Sequence, residues 1–244
     1  MAKIKLYTRN ILEDGTVTVT GTADTGYPES RLYDRAISLY WKDTVTEAKT
    51  FHVDQGASGN ESVGGLFIPK HNFNGEDLTW EYSVNDSDWI AAAVGWTQGD
   101  NEQIEKVLAA ELTKRYWRVT LTSMANPQCS EIFMSYGYEF QADFVQNPTF
   151  EDVPNVQWNM TVGGLERSTM FGNKRRTRTY ALFLDTTDLA SFRAAMVDLD
   201  NYSKPFYLKD HEGSYFMARL VDIPRESFMT EGHVTMTVNF IEML

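Results

Sequence analysis

The first half of the chain consists of short segments in which polar and apolar residues alternate. Thr16-Val17-Thr18-Val19-Thr20 shows this period of two, and the turn residues Asp14-Gly15 and Gly21 flank it. Successive side chains of a strand point to opposite faces of a sheet, so this pattern predicts a half-buried strand. Further strands are predicted at residues 39–41, 50–53, 66–68, 78–83 and 116–121. Their spacing, with Gly, Asn, Asp and Ser clusters between them, is typical of a β-sandwich or jelly roll.

One stretch of the first half is compatible with either of two secondary structures. Between residues 101 and 114, Ile104, Val107, Leu108 and Leu112 recur at helical spacing, and neighbouring alanines favour a helix. The stretch directly precedes a strong strand, however, which is also compatible with an extended segment. The sequence leaves both alternatives open.

The pattern changes near residue 147. Two prolines, Pro148 and Pro154, bracket polar residues over 147–155 and indicate a linker or crossover. We therefore predict a jelly-roll β-sandwich over residues 1–146 and an α+β domain, an antiparallel sheet with one helix, over 147–244. The strands of the second domain are predicted at 156–162, 177–184, 204–208, 214–220 and 233–241, with hairpin turns at 212–213 and 231–232 and an exposed basic turn at 171–176. The helix is predicted at 188–199, after N-cap side chains at 185–188.

Composition and charge exclude several classes of protein. Hydrophobic residues make up 42% and charged residues 23% of the 244 residues, which are ordinary globular values and exclude a disordered, collagen-like or coiled-coil chain. The net charge of −12 argues against nucleic acid as the main partner, because phosphate binding needs clustered Lys and Arg. The acidity is uneven: residues 1–146 hold 12 basic and 21 acidic residues, and residues 147–244 hold 10 and 13.

Cysteine and hydropathy indicate the compartment. One cysteine, Cys129, cannot form an intrachain disulfide, and the sequence contains no Cys/His cluster for zinc. No apolar stretch has the length of a signal peptide core or of a membrane span. We expect a protein made in the cytoplasm without a membrane anchor, with Cys129 as an inert, unpaired thiol.

No catalytic motif is present. The sequence contains neither a phosphate-binding loop, nor a Gly-x-Ser-x-Gly elbow, nor a His-Glu-x-x-His pair, so no catalytic residue, metal ligand or cofactor is predicted. Asp54 and His52 would lie on one strand face, either as a surface pair or in a metal or base role. Paired carboxylates such as Asp86 and Asp88 allow a glycan hydrolase, but in a chain with 34 acidic residues solvated loop charges are the favoured explanation.

Two groups of residues are candidates for binding. The only basic cluster, Lys174, Arg175, Arg176 and Arg178, either grips an acidic partner surface, including another copy of this chain, or solubilises a hairpin tip. Trp89 and Trp96 are candidates for a glycan-binding platform, because an aromatic face suits the flat apolar face of a sugar. The alternative for each tryptophan is a position in the core.

Several segments of the first domain carry a resemblance to a known family. In chain order they lie at 26–34, 40–41, 50–56, 65–72, 82–89, 115–121 and 130–134, and they include Tyr82-Ser83 with Trp89 and Arg115-Tyr116-Trp117-Arg118. They resemble discoidin-like, or galactose-binding-like, jelly rolls over about residues 16–140. Gln55 and Ser135 depart from the family pattern. Loop residues that bind sugar, lipid or calcium in other members are not recognisable here, so no binding residue is carried over.

The whole chain is similar to distal-tail or baseplate proteins of tailed bacteriophages. A jelly roll that ends in Arg-Tyr-Trp-Arg precedes a compact α+β unit of about a hundred residues, and 162–168 and the helix resemble a ring-forming tube unit. The resemblance implies a ring homo-oligomer, a hexamer, in the virion tail, assembled in the host bacterial cytoplasm. The implied partners are the tail tube protein, the baseplate hub, and tail fibre or tape-measure proteins. DNA would pass through an acidic lumen without specific binding.

The sequence thus supports three functional hypotheses. The first is a structural tail protein whose jelly roll is a peripheral attachment module, with no enzymatic activity. The alternative is a carbohydrate-binding module that recognises host surface glycan. The third is the glycan hydrolase.

Overall fold

The computed structural model describes residues 3–57, 61–140, 149–154, 156–160, 162–164, 166–170, 174–230 and 232–243. The chain divides into two compact units. One unit is Leu6–Tyr138, and the other is Met1–Lys5 together with Glu139–Leu244. The domain boundary predicted between residues 146 and 147 lies outside the described residues. Among the helices that the structure describes, none is long and apolar enough to cross a membrane.

The regular structure of the first part of the chain is mainly β-strand. Its elements, in chain order, are β1 Lys5–Tyr7, α1 Ile11–Asp14, β2 Thr16–Val19, a 3-10 helix Glu29–Leu32, β3 Trp41–Lys42, β4 Glu47–Asp54, β5 Ser62–Ile68, β6 Asp77–Ser83, β7 Ile90–Thr97, β8 Ile104–Thr113, β9 Tyr116–Met124, β10 Gln128–Cys129, β11 Phe133–Ser135 and β12 Tyr138–Glu139. A five-stranded sheet has the order β2-β4-β9-β6-β7, a three-stranded sheet the order β11-β5-β8, and β10 pairs with β3.

The core of the Leu6–Tyr138 unit lies between the five-stranded and three-stranded sheets. Phe51 of β4 and Val119 of β9 are buried from one side, and Leu66 and Ile68 of β5 from the other. In β4 and β9 such residues alternate with less buried polar ones, as a period of two requires, whereas β5 is buried along nearly its whole length. The predicted jelly-roll β-sandwich is confirmed.

The stretch that sequence left undecided is a strand. β8 (Ile104–Thr113) pairs antiparallel with β5, with Ile104 opposite Ile68, and the register shifts between Val63 and Gly65. The backbone ladder to β5 supplies hydrogen bonds along the segment, and this tertiary pairing outweighs the helix propensity of the alanines. The extended alternative is therefore confirmed.

The second part of the chain combines strands with one long helix. Its elements are β13 Thr149–Val153, β14 Val156–Met160, β15 Glu166–Met170, β16 Arg175–Asp185, α2 Thr186–Asp198, β17 Phe206–Lys209, β18 Tyr215–Leu220, β19 Arg225–Thr230 and β20 His233–Glu242. The main sheet has the order β12-β1-β17-β18-β20-β16-β13, with β19 also paired to β20, and β14 and β15 form a separate hairpin. An antiparallel α+β unit was predicted here, and it is confirmed.

Two predicted irregular segments contain strands instead. Residues 149–153 of the predicted linker form β13, because Phe150 stacks on His211 at 4.0 Å and the strand pairs with β16. Arg175 and Arg176, predicted in an exposed turn, are the first residues of β16. Residues 171–173 of that predicted turn lie outside the described part of the chain.

Helix α2 begins two residues earlier than the predicted 188–199. Asp185 is its N-cap, and the Asp185 carboxylate accepts a hydrogen bond of 2.8 Å from the backbone N–H of Asp188. This bond satisfies one of the first backbone donors, which have no partner within the helix.

Replacing Asp185 with alanine is expected to lower the free energy of unfolding by about 1 kcal/mol, because the Asp188 N–H loses its acceptor. Urea denaturation of the purified chain measures the loss. Asp185→Asn is the matched control and should stay close to wild type, since asparagine caps helices equally well. Equal losses in both variants would contradict a capping role.

Candidate functional site

The outward face of the five-stranded sheet carries a row of polar side chains. Thr18 of β2 lies opposite His52 of β4, His52 lies opposite Arg118 of β9, and Arg118 lies opposite Glu81 of β6. Directly opposed residues of antiparallel strands point to the same face, and neighbouring strands lie about 4.8 Å apart. The four side chains therefore form one row about 14 Å long.

This row borders an open depression of about 400 Å³. Three residues of the row line it, together with two further threonines and two residues of the β6–β7 turn; the lining residues are Thr18, Thr20, Thr50, His52, Asp86, Trp89 and Arg118. The volume lies in the range of small-ligand sites. We call this surface the Trp89 depression.

The β6–β7 turn that carries Asp86 and Trp89 is fixed by its own hydrogen bonds. The Asn85 side-chain oxygen accepts the backbone N–H groups of Ser87 at 3.1 Å and Asp88 at 2.9 Å, and the Asn85 amide donates to the Asp88 carboxylate at 2.7 Å. Asp86 adopts a left-handed backbone conformation with φ 61°, which aspartate tolerates better than most residues. The turn thus presents Asp86 and Trp89 in a defined geometry.

Trp89 is held from two sides by the row. The Arg118 guanidinium lies 4.0 Å from the Trp89 ring centroid, and Arg118 Nε donates to Glu81 at 2.8 Å. His52 meets the Trp89 ring edge-on at 5.7 Å, and His52 Nε2 contacts the Asp86 carboxylate at 2.9 Å. Cation–π and aromatic contacts therefore orient an indole that remains partly exposed.

Several polar atoms of the depression have no hydrogen-bond partner within the described residues. They are the two Nη groups of Arg118, the Trp89 indole N–H, and the hydroxyls of Thr18, Thr20 and Thr50. Together with the Asp86 carboxylate they offer donors and acceptors around an aromatic ring. This arrangement suits a ligand with several hydroxyl groups and an apolar face.

The other predicted platform residue, Trp96, does not line this depression. Trp96 packs against the sandwich core, its indole N–H donates to Gln98 at 3.3 Å, and the Lys106 ammonium lies 4.4 Å from its ring centroid. A glycan-platform role for Trp96 stays a prediction. Of the two tryptophans, Trp89 is the one that lines the depression.

The basic cluster is largely engaged within its own unit. Arg178 is buried, and its guanidinium pairs with Asp210 at 3.2 Å and Glu212 at 3.5 Å. Arg176 pairs with Glu242 at 3.4 Å, and Arg175 is partly buried. Lys174 is the exposed member of the cluster. The subunit-interface role of these four residues remains a prediction.

The remaining candidate chemistry is accounted for by local pairs. Asp54 accepts two hydrogen bonds from Arg115, at 2.7 and 2.8 Å, and this contact holds the pKa of Asp54 below its usual value. His52 contacts Asp86 rather than Asp54. Burial raises the pKa of the Cys129 thiol well above its usual value, with a smaller contribution from Glu131. The described His, Cys, Asp and Glu residues form no group of three that could hold a metal ion.

Comparison with known proteins gives low structural similarity. No protein-family model and no curated protein matches the sequence. The chain is similar to a Ruminococcus gnavus GH29 fucosidase in complex with fucose, with a TM-score of 0.44 and 17% identity over 55% of this chain. The match spans only 28% of the fucosidase.

Two smaller structures match over nearly their whole length. The first is the chitosan-binding module 1 of a Paenibacillus chitosanase/glucanase, with a TM-score of 0.44 and 18% identity over 52% of this chain and 99% of the module. The second is CBM32-1 of a Clostridium perfringens family 31 glycoside hydrolase, with a TM-score of 0.41 and 14% identity over 53% of this chain and 99% of the module. These scores are too low to carry an argument about a ligand.

Proposed function

We propose that the Leu6–Tyr138 unit binds carbohydrate in the Trp89 depression. One observation carries the proposal: an oriented, partly exposed indole lies beside hydrogen-bonding groups that have no partner among the described residues. A sugar ring has an apolar C–H face that packs on an aromatic ring, and its hydroxyls both donate and accept hydrogen bonds. The depression offers a surface for each of these features.

The shape of the depression favours an open-ended saccharide. The polar row crosses four strands over about 14 Å, and the depression that it borders is open rather than enclosed. An internal stretch of a glycan chain can therefore lie on it without threading through a closed pocket. The main proposal is accordingly recognition of a surface glycan and includes no catalytic step.

Replacing Trp89 with alanine is expected to weaken glycan binding about 30-fold, because a central tryptophan of a binding surface contributes about 2 kcal/mol or more. A glycan array identifies the ligand for the wild-type chain, and isothermal titration calorimetry then compares the variant. Thermal melts of both proteins confirm that the jelly roll is still folded.

Trp158→Ala is the matched control for the Trp89 variant. Trp158 is a highly exposed tryptophan of the β14–β15 hairpin, in the other unit of the chain. This control should keep wild-type affinity for glycan. Equal affinity of wild type and Trp89→Ala, or no glycan bound by the wild-type chain, would refute the proposal.

We also propose that the chain is a structural subunit of an assembly, as its resemblance to phage distal-tail and baseplate proteins implies. The observation that favours this second function is the β14–β15 hairpin. Val156 lies opposite Met170, and Trp158 and Met160 follow on the same face, whereas Gln157 and Asn159 point to the other. Ser168 and Glu166 of β15 lie opposite Trp158 and Met160, so this face is mostly but not wholly apolar.

The apolar face of this hairpin has no cover among the described residues. Trp158, Met160 and Met170 are each about two-thirds or more exposed. A two-stranded hairpin is marginally stable alone in water, and exposed apolar patches mark interaction sites. The hairpin is therefore best explained if another protein packs on it.

A second copy of the chain is the occupant that we propose. The same unit exposes a second group of apolar side chains, Val221 and Ile223 just before β19 and Phe228 on it. Two different apolar surfaces on one subunit allow head-to-tail contacts, which close into rings when the rotation permits. This proposal includes a hexameric ring in a virion tail and contacts with tube, hub, fibre or tape-measure proteins. Light scattering of the purified chain tests its first step, which is self-association.

A further inference from the structure

We infer that the Trp89 depression recognises neutral glycans and discriminates against acidic ones. The inference rests on the proposed carbohydrate function and names the chemical class of its ligand. It follows from how the charged groups around the depression are paired, and from which of them remain able to bind a ligand.

The only guanidinium in the depression is already neutralised. Arg118 Nε is bound to the Glu81 carboxylate at 2.8 Å, so a ligand carboxylate that approaches Arg118 also approaches Glu81. Sites for carboxylates usually present the whole guanidinium fork, with two parallel N–H donors, to the ligand. Here Glu81 occupies the Nε of Arg118. The two Nη groups can still donate hydrogen bonds to a ligand, but the Glu81 carboxylate offsets the positive charge of the guanidinium.

The other charged group of the depression is an acid. Asp86 is about half exposed, and its described partner is the His52 imidazole at 2.9 Å. A carboxylate can only accept hydrogen bonds, so Asp86 needs a ligand that donates. Sugar hydroxyls do so, whereas a uronate carboxylate beside Asp86 would be repelled.

The charges around the depression also disfavour an acidic ligand. Asp54, two residues beyond His52 along β4, is paired with Arg115 and adds no net charge, and Tyr116 stacks on His52 at 6.0 Å. Over the whole unit, residues 6–138 hold 10 basic and 19 acidic residues. The long-range field of this unit therefore repels anionic polymers at low salt.

A neutral vicinal diol satisfies these groups together. One hydroxyl donates to Asp86 while its neighbour accepts from an Arg118 Nη group, and the ring face packs beside Trp89. The threonine hydroxyls at positions 18, 20 and 50 adapt to either donor or acceptor partners. Asp86 is therefore the residue that sets the preference for an uncharged sugar.

The experiment compares sugars that differ only in the acid group. Calorimetry measures the binding of matched pairs of oligosaccharides to the full chain. The two members of a pair have the same length and linkage, and they are built from galactose or galacturonic acid, glucose or glucuronic acid, or mannose or mannuronic acid. We consider the pair that contains the tightest-binding sugar of the panel. In that pair we expect the neutral sugar to bind about tenfold more tightly than the acidic sugar. Raising the salt concentration should narrow the difference.

The Asp86→Asn variant assigns the preference to one residue. It should weaken binding of the neutral sugar and reduce the discrimination against the acidic one to about threefold or less, because the repelling charge is gone while an amide remains. Glu102→Gln, which removes an exposed charge outside the lining of the depression, should leave both affinities unchanged.

The outcomes separate this inference from the proposed function. Equal or tighter binding of an acidic sugar by the wild-type chain would overturn the neutral preference and leave carbohydrate binding intact. Unchanged discrimination in Asp86→Asn would overturn the role of Asp86. Absence of binding to every sugar of the panel and the array would overturn both the inference and the proposed function.

Discussion

Replacing Lys49 with methionine is expected to lower the free energy of unfolding of the jelly-roll unit by about 3–5 kcal/mol. The Lys49 side chain is fully buried, and its ammonium donates to Asp43 at 2.7 Å and to Glu47 at 2.9 Å. Asp43 is fully buried as well. Removing the ammonium leaves a buried carboxylate without its counter-ion, which is the costly way to disrupt a buried pair.

The surroundings of the Lys49–Asp43 pair hold both groups in place. Asp43 also accepts the backbone N–H groups of Thr22 at 3.1 Å and Val45 at 2.7 Å. A Cβ atom at Gly21 would lie 2.5 Å from the Lys49 nitrogen, and Gly21 has φ 104°, so the backbone passes close to the ammonium where only glycine fits.

The pair also makes stability depend on pH in a defined direction. Burial alone would raise the pKa of Asp43, but its hydrogen bonds to Lys49, Val45 and Thr22 and the charge of Lys49 lower it below 3.8. A carboxyl group with a depressed pKa stabilises the folded state above its unfolded pKa and loses that contribution as the pH falls through the folded value. The contribution of Asp43 is therefore complete at neutral pH and is lost only below about pH 4.

Urea denaturation at pH 7 of wild type, Lys49→Met and the double variant Lys49→Met with Asp43→Asn tests the pair. The double variant should recover part of the loss, because it no longer buries an uncompensated charge. A loss below 1 kcal/mol in the single variant, or a further full-size loss in the double variant, would contradict this account.

Replacing Trp158 with alanine is expected to shift the chain from an assembled to a smaller state. An exposed tryptophan at the centre of an apolar face is the residue type that most often dominates an interface, and its loss costs about 2 kcal/mol or more, which is about 30-fold in the dissociation constant per contact. Size-exclusion chromatography with light scattering, over a series of protein concentrations, measures the change in mass.

Trp89→Ala is the control for this second experiment, because it removes a tryptophan from the other unit. The two variants thus serve as each other's controls: Trp158→Ala should reduce assembly and keep glycan affinity, and Trp89→Ala should do the reverse. A wild-type chain that stays monomeric at every concentration would refute self-association, and an unchanged mass for Trp158→Ala would remove the hairpin from the contact.

The fold was largely predictable because alternation is a local property of the sequence. The period of two in Thr16 to Thr20 and the apolar partners Phe51 and Val53 identify strands and their buried faces without any knowledge of pairing. The segment Ile104–Thr113 was not decided locally, since its structure depends on the ladder to β5, which lies some forty residues earlier in the chain.

The site was only partly predictable, because it depends on register. Trp89 was a candidate from its residue type and its place beside a turn. Arg118, Thr18 and Thr50 carried a signal only as polar positions of alternating strands, and their alignment beside His52 comes from the pairing of β2, β4 and β9. A single-residue shift in that register would turn these side chains into the core.

The partners of the basic cluster were also not predictable from local sequence. Four cations between Lys174 and Arg178 suggest an exposed surface in sequence, but β16 places Arg178 against the buried Asp210. Asp210 lies 32 residues further along the chain, so no local pattern reveals the pair. Conversely, the apolar face of β14–β15 follows directly from alternation, but only the structure shows that it is uncovered.

The central claim, that the outward face of the five-stranded sheet binds glycan, is tested most directly by NMR. The isotope-labelled full chain is titrated with the neutral oligosaccharide that binds best on the array, and the shifted signals are mapped onto the structure. We predict the largest shifts at the Trp89 indole and at the backbone amides of Thr18, Thr50, His52 and Arg118. Shifts confined to loops at the ends of the sandwich, with these signals unmoved, would contradict the claim.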